Sequence, residues 1–344
     1  MSGSRPTRRG LLAAIDRMAD IPLLVVADLV LDEFEYGEID RVSREAPVLI
    51  LAHRRTDRLP GGGANAVANV RALDGRPAVI GRVGADEPGD GLLGLLRERG
   101  IGVEHVWRDP DYRTPVKRRV LAGSAHSVKQ QIVRVDRGGG PPVSPGGSPL
   151  LAAARAAART ARGVLISDYS LGLLHEGTIA PLLAAFREAG LPVFVDSRTQ
   201  LRRFRGIAAA TPNLQEAEAV AGGPIADRAA LDRAGALLRE TLDAEAIVVT
   251  RGSQGMSLFR RGAGPVHLPV YGTDEVADVT GAGDTVIGTF TLALLAGNSA
   301  IEAAMLANYA GGLVVMKRGT ATASRDELRR AVETDPVLGP PGGA

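Results

Sequence analysis

Gly281-Ala282-Gly283-Asp284 runs straight into Thr285 to Ala296, an apolar stretch with helical spacing, so its glycines sit where a loop becomes a helix N-terminus. Unpaired N–H groups and the helix dipole at such a point suit an anion. A carboxylate at the same place can take the proton of a hydroxyl attacking a phosphoryl group that those N–H groups hold in line. Asp284 then has the part of a general base, and the backbone at Gly281, Ala282 and Gly283 that of an oxyanion clamp. From the tetrapeptide alone, a glycine turn followed by an ordinary N-terminal acid fits equally well.

Three further stretches carry matching chemistry. Asn213-Leu214-Gln215-Glu216 follows Thr211-Pro212 and opens a helix, which puts Asn213 and Glu216 on one face. There they suit the water shell of a magnesium ion, and they suit a helix cap with its reciprocal glutamate just as well. Thr250-Arg251-Gly252-Ser253-Gln254-Gly255 is a strand end and a glycine turn, able to pass close to nucleotide phosphates or simply to close a hairpin. Gly61-Gly62-Gly63-Ala64-Asn65 is again a glycine loop entering a helix. Paired with Asp28, Asn65 could grip sugar hydroxyls, because a carboxylate accepts where an amide both accepts and donates. A helix start without a ligand explains the same glycines.

These residues need elements to carry them. Leu23 to Ala27 is a short β-branched apolar run ending at Asp28, the pattern of a buried parallel strand that delivers a polar residue at its C-terminal end. Similar runs at Ala78 to Ile80, Val164 to Ser167, Val193 to Asp196 and Ala246 to Thr250 are separated by helical stretches, so the chain reads as α/β with a mainly parallel sheet. Residues 34–58 and 116–136 break this rhythm as strands without crossover helices, and they are predicted to form a small inserted β lid. Residues 137–149, rich in Gly and Pro, return the chain to one domain spanning 1–344, and 336–344 is expected to fray.

Composition narrows the function. With 344 residues, 45% of them hydrophobic and 23% charged, a sizeable core can form. A formal charge of +2, with arginines spread along the chain, is not a nucleic-acid signature. The lack of cysteine excludes disulfides, thiolate nucleophiles and cysteine–zinc sites. Asp16 and Arg17 cut short the apolar run that starts at Leu11, so an amphipathic first helix is expected instead of a leader. No run is long enough to span a membrane, and a cytoplasmic protein is expected.

In sequence order, these motifs resemble the ribokinase-like (PfkB) carbohydrate kinases from about Leu23 to Arg330. The Gly61 to Asn65 region and Asp278 to Asp284 correspond to the two family signatures, and Asn213 to Glu216 also matches. Within that family the chain is similar to D-glycero-D-manno-heptose 7-phosphate kinases, through Tyr36-Gly37, Arg41 to Pro47, Ser167-Asp168-Tyr169 and Gly255 to Leu258. The resemblance implies a three-layer αβα domain and transfer of the γ-phosphate of ATP, with Mg2+, to the anomeric hydroxyl of the sugar phosphate. It places Thr250, Arg251, Gly252, Gly255 and Asn308 beside the nucleotide. It places Asp28, Asp32, Gly62, Gly63, Asn65, Lys117, Arg134, Asp168, Asp196 and Arg198 toward the sugar. It also implies a potassium site at Asp278 and Thr280, and a homodimer formed through the lid.

Such kinases often continue into a nucleotidyltransferase domain; this sequence shows no His-x-Gly-His element, and a kinase alone is expected. It departs from the heptose pattern at Leu171, where a lysine is usual, and at Asp196-Ser197-Arg198, where Asp-Pro-Lys is usual. Both changes alter how a sugar phosphate is held. A kinase for another sugar or nucleoside, or a non-catalytic sugar sensor, would use the same cleft.

Overall fold

The computed structural model describes residues 6–124, 129–144, 149–272, 277–317 and 319–338. Helix α1 (Arg8–Arg17), capped by Thr7, leads into β1 (Pro22–Ala27), then the hairpin β2 (Leu29–Val42) and β3 (Leu49–Gly62). Next come α2 (Gly63–Ala72), β4 (Arg76–Gly84), α3 (Glu87–Glu98), β5 (Gly102–Asp109) and a second antiparallel pair, β6 (Arg113–Gly123) and β7 (Gln130–Gly139). α4 (Leu150–Ala158), β8 (Gly163–Asp168), α5 (Glu176–Glu188), β9 (Val193–Ser197) and the two-residue β10 (Ala209–Ala210) follow. The chain continues through α6 (Leu214–Ala221), α7 (Arg228–Thr241), β11 (Ala246–Thr250), β12 (Met256–Arg260) and β13 (Val266–Leu268). α8 (Ala282–Leu295), α9 (Ala300–Val315) and α10 (Arg325–Thr334) complete it.

The main sheet has nine strands in the order β13-β12-β11-β10-β9-β8-β1-β4-β5, parallel from β5 to β11 and antiparallel beyond. Strand β1 is buried on both faces, which is why it reads as an unbroken apolar run. Leu23, Val25 and Ala27 join a core with Leu11, Val67, Phe290 and Leu306 on one side. Leu24 and Val26 join Ile179, Phe186 and Leu238 on the other. Helices on both faces of a mainly parallel sheet make the expected three-layer α/β architecture.

The second sheet, ordered β3-β2-β6-β7, is the inserted β unit. It is longer than the 34–58 and 116–136 read from sequence: β2 starts one residue after β1, β3 runs to Gly62, and β6 and β7 reach Arg113 and Gly139. The extra length was hidden because buried charges interrupt the apolar pattern. Glu33 is fully buried, and it accepts from Arg58 of β3 at 3.1 Å, Arg118 of β6 at 2.9 Å and Arg137 of β7 at 3.4 Å. At the C-terminus, Pro336–Leu338 forms one 3-10 turn; the rest of the expected frayed tail lies outside the described residues.

Candidate active site

Parallel strands end on the same edge, and the registers set Ala27 beside Ser167 and Ser167 beside Asp196. Asp28, Asp168 and Asp196 therefore converge at the C-terminal edge of the sheet. Strand order reverses around β1, whose neighbours β4 and β8 leave in opposite directions, and this is where open α/β sheets form a ligand crevice.

α8 points its N-terminus into that crevice. Gly281 caps it in a left-handed conformation, φ 81°, and a Cβ there would collide with the Asn65 amide. Ala282 N–H donates to Val279 O at 3.3 Å, whereas the N–H groups of Gly283 and Asp284 have no partner among the described residues. Asp284 is buried in the first turn. Its Oδ2 accepts from Asn65 Nδ2 at 2.9 Å, and the Tyr169 hydroxyl donates to Oδ1 and Oδ2 at 3.0 and 3.1 Å. Thr285 Oγ1 donates to Asn69 Oδ1 (2.9 Å) and Asn69 Nδ2 to Asn65 Oδ1 (3.2 Å), so the relay turns the amide of Asn65 toward Asp284. Burial pushes the Asp284 carboxyl up to about 6, against hydrogen bonds from Asn65 and Tyr169 and the charges of Lys117 and Arg198.

The other acids are tuned by the same crevice. Asp28 Oδ2 accepts from the backbone N–H of Tyr169 (2.9 Å) and of Leu171 (3.0 Å), and burial raises its carboxyl to about 6. Asp168 accepts from Ser197 Oγ at 2.6 Å and Ser170 N at 2.9 Å; burial raises its pKa too. Burial drives Asp196 well above the usual carboxylate range, and the charges of Glu216 and Asp284 push the same way.

Two cations face these acids. Lys117 Nζ and Arg198 Cζ lie 4.7 and 4.3 Å from the centroid of the Tyr169 ring. Burial lowers the Lys117 pKa, and the charge of Arg198 lowers it further. Arg134 forms a bidentate pair with Asp136, both at 2.8 Å, on the exposed face of β7. Asp32 is turned instead toward Thr320 Oγ1 (2.6 Å) and Arg119 (3.1 Å). Gly62 caps α2, and Gly63 N–H donates to Asp28 O at 3.0 Å, tying that glycine loop to the end of β1.

The predicted nucleotide side forms a second group. Asn213 and Glu216 make a reciprocal cap, each backbone N–H donating to the other's side chain at 2.9 Å, and Asn213 bridges to Thr250. Burial raises the Glu216 pKa. A cleft of about 320 Å3 lined by Arg198, Gln200, Glu216 and Val220 lies alongside. Arg251, Gly252 and Gly255 form the turn between β11 and β12, with Arg251 N–H donating to Gly255 O at 2.8 Å. Asn308 Nδ2 donates to Pro269 O at 2.7 Å. Asp278 accepts from Thr280 N at 2.9 Å and Gly319 N at 3.1 Å, pinning the loop that enters α8.

Sequence reasoning used Tyr169 only as part of a resembling tripeptide, yet it touches Asp284, Asp28, Lys117 and Arg198. Its position after the strand ending at Asp168 was the only signal that could have placed it at the crevice.

The pfkB family carbohydrate kinase profile matches residues 29–327. Over 311 residues the chain is 42% identical to the bifunctional protein HldE of Geobacter metallireducens, covering 90% of this chain and 62% of that protein. It is 43% identical over 318 residues to the bifunctional protein HldE of Alkalilimnicola ehrlichii, covering 90% and 63%. The chain thus spans less than two thirds of these relatives. Its fold is that of Arabidopsis thaliana ribokinase complexed with ribose and ATP (TM-score 0.72, 21% identity, 92% of this chain and 100% of the other). Phosphofructokinase-2 of Escherichia coli in complex with substrates and products shares it (TM-score 0.71, 19% identity, 91% and 98%). The chain is a phosphotransferase acting on a sugar, and it belongs to the pfkB family of carbohydrate kinases.

Proposed function

We propose that the chain transfers the γ-phosphate of ATP to a hydroxyl of a sugar phosphate, the anomeric hydroxyl of D-glycero-D-manno-heptose 7-phosphate, with Asp284 as general base. The observation that carries this reading is a buried carboxylate beside two unpartnered N–H groups at one helix N-terminus. As the sugar oxygen bonds to the γ-phosphorus, its proton passes to Asp284 Oδ1. The bond from that phosphorus to the β,γ-bridging oxygen breaks, and ADP leaves with the electron pair. The N–H groups of Gly283 and Asp284 meet the charge on the transferring oxygens. Asn65 holds Asp284 in place, and Asp28, Asp168 and Asp196 face the sugar.

A magnesium ion keeps most of its waters and needs few direct protein ligands. Glu216 and Asn213, with Asp196 facing Glu216, would hold Mg2+ through water, and bound there it would neutralise phosphate charge. Thr250 to Gly255 and Asn308 would border the nucleotide. A potassium ion beside Asp278 and Thr280 is part of the same proposal, and rates in potassium against tetramethylammonium salts test it.

A phosphorylated acceptor is favoured because Lys117 and Arg198 both lie against one ring, and neither forms an ion pair with a carboxylate among the described residues. Arg134 stands near enough for its charge to reach Lys117. ADP release with purified protein tests the reading: heptose 7-phosphate should be preferred over the unphosphorylated heptose and over adenosine. Asp284→Asn should fall to a hundredth of wild-type turnover or less, since a lost general base costs about 10² to 10⁴. The lid also exposes Ile39, Val42, Val48, Leu49, Val133 and Val135, an apolar face suited to pairing two lids in a homodimer. A monomeric mass in solution scattering would remove that part. No helix among the described residues is long and apolar enough to cross a membrane.

A further inference from the structure

Tyr169 has no part in the transfer as described so far, yet it stands where the site's elements meet. Its hydroxyl donates to both oxygens of Asp284, and its backbone N–H donates to Asp28 at 2.9 Å. Its ring carries Lys117, from the lid strand β6, and Arg198, from the loop after β9. A phenol has one proton to donate. Here that proton goes to the buried carboxylate of Asp284.

We propose that Tyr169 is a positioning residue for phosphoryl transfer: its hydroxyl holds the Asp284 carboxylate in line, and its ring, against which Lys117 and Arg198 both lie, ties the base to the lid. The groups facing Asp284 are Asn65 from α2, Tyr169 from the loop after β8, Lys117 from β6, and Asp196 and Arg198 from β9 and its end. Asn65 fixes one oxygen only. Tyr169 reaches both, so the two donors together restrain the carboxylate through contacts to each of its oxygens. A base turned away from the acceptor hydroxyl loses the alignment on which in-line transfer depends. The inference rests on Asp284 being the base.

Tyr169→Phe keeps the ring and removes the hydroxyl. It should lower kcat about tenfold, leave the KM for ATP unchanged, and move the acidic limb of the kcat/KM profile to higher pH, because a donor that favours the carboxylate is gone. Tyr169→Leu removes the ring as well and should in addition raise the KM for the phosphorylated sugar at least tenfold. A fall in kcat with an unmoved acidic limb, or no fall at all, overturns the proposal. If Asp284→Asn is inactive while Tyr169→Phe is unchanged, only the Tyr169 proposal fails; if Asp284→Asn keeps its turnover, the base assignment fails. Should Tyr169→Phe not fold, 3,5-difluorotyrosine at the same position supplies a stronger donor on the same ring. The limb should then move to lower pH, and an unmoved limb overturns the proposal.

Discussion

Replacing Gly281 with alanine strikes the contact that holds the proposed base. At φ 81° an alanine costs about 1–2 kcal/mol of backbone strain. Its Cβ would also lie closer to Asn65 Nδ2 than side-chain carbons approach in real structures. The amide cannot simply turn, because Asn69 holds its oxygen at 3.2 Å. It must move by about 1 Å, which stretches the 2.9 Å bond to Asp284, and a hydrogen bond to a charged group is worth about 1.5–3 kcal/mol. The sum is a stability loss of about 2.5–5 kcal/mol, a fall of several degrees in Tm. In addition kcat should fall about 10²-fold, since a 1 Å displacement of a reacting group costs that much. Coupled ADP release and a thermal scan on the same preparations measure both. In an Asn65→Ala background the collision with the amide disappears and Gly281→Ala should cost mainly the strain, so the two changes should be non-additive by about 1.5–3 kcal/mol. Wild-type kcat in Gly281→Ala, or equal costs in the two backgrounds, would refute this reasoning.

The acidic limb of kcat/KM should lie near pH 6, since burial raises both Asp284 and Asp28 to about that value; a limb near 4 would show that neither controls the rate. These carboxyls bind their protons more tightly folded than unfolded, so each takes away stability as pH rises from about 4 to about 6. Asp284→Asn should therefore raise Tm at pH 7.5, by an amount bounded at roughly 3 kcal/mol, and give no gain at pH 4. Glu33→Gln should destabilise by about 1–2 kcal/mol: the carboxylate is fully buried, but its arginines are exposed enough for water to take over. Denaturant melts measure it, and an unchanged midpoint would mean that the buried charge contributes nothing. Arg198→Met should raise the KM for the sugar phosphate at least tenfold and that for ATP little, read by steady-state kinetics.

Much of the fold was legible because its signals are local. A strand buried on both faces must be apolar throughout, so β1, β8, β9 and β11 stood out, and each ended in the polar residue that the crevice receives. The strands that escaped had weaker patterns. β10 is two residues long, β13 is three residues of intermediate burial, and β12 follows a glycine turn that alone could not distinguish a hairpin from a phosphate loop. The second sheet was read from sequence but drawn short at its start, since Asp32 and Glu33 interrupt the apolar run before Phe34 until their partners on neighbouring strands are known.

The sequence by itself, through the ordered motifs that resemble a kinase family, indicated a sugar phosphotransferase and singled out Asp284 as its proposed base. A glycine turn entering an apolar helix at Asp284, preceded in order by Asn65 and by Asn213 to Glu216, is a pattern that backbone geometry imposes over a few residues. Tertiary structure alone decided which atoms meet. The hydroxyl of Tyr169 reaches Asp284 across 115 residues, Asn65 reaches it across 219, and Asp32 turns to Thr320 across 288. Such contacts depend on strand order and crossover direction, which no local period records, and they set the protonation of the proposed base and the seating of the cations.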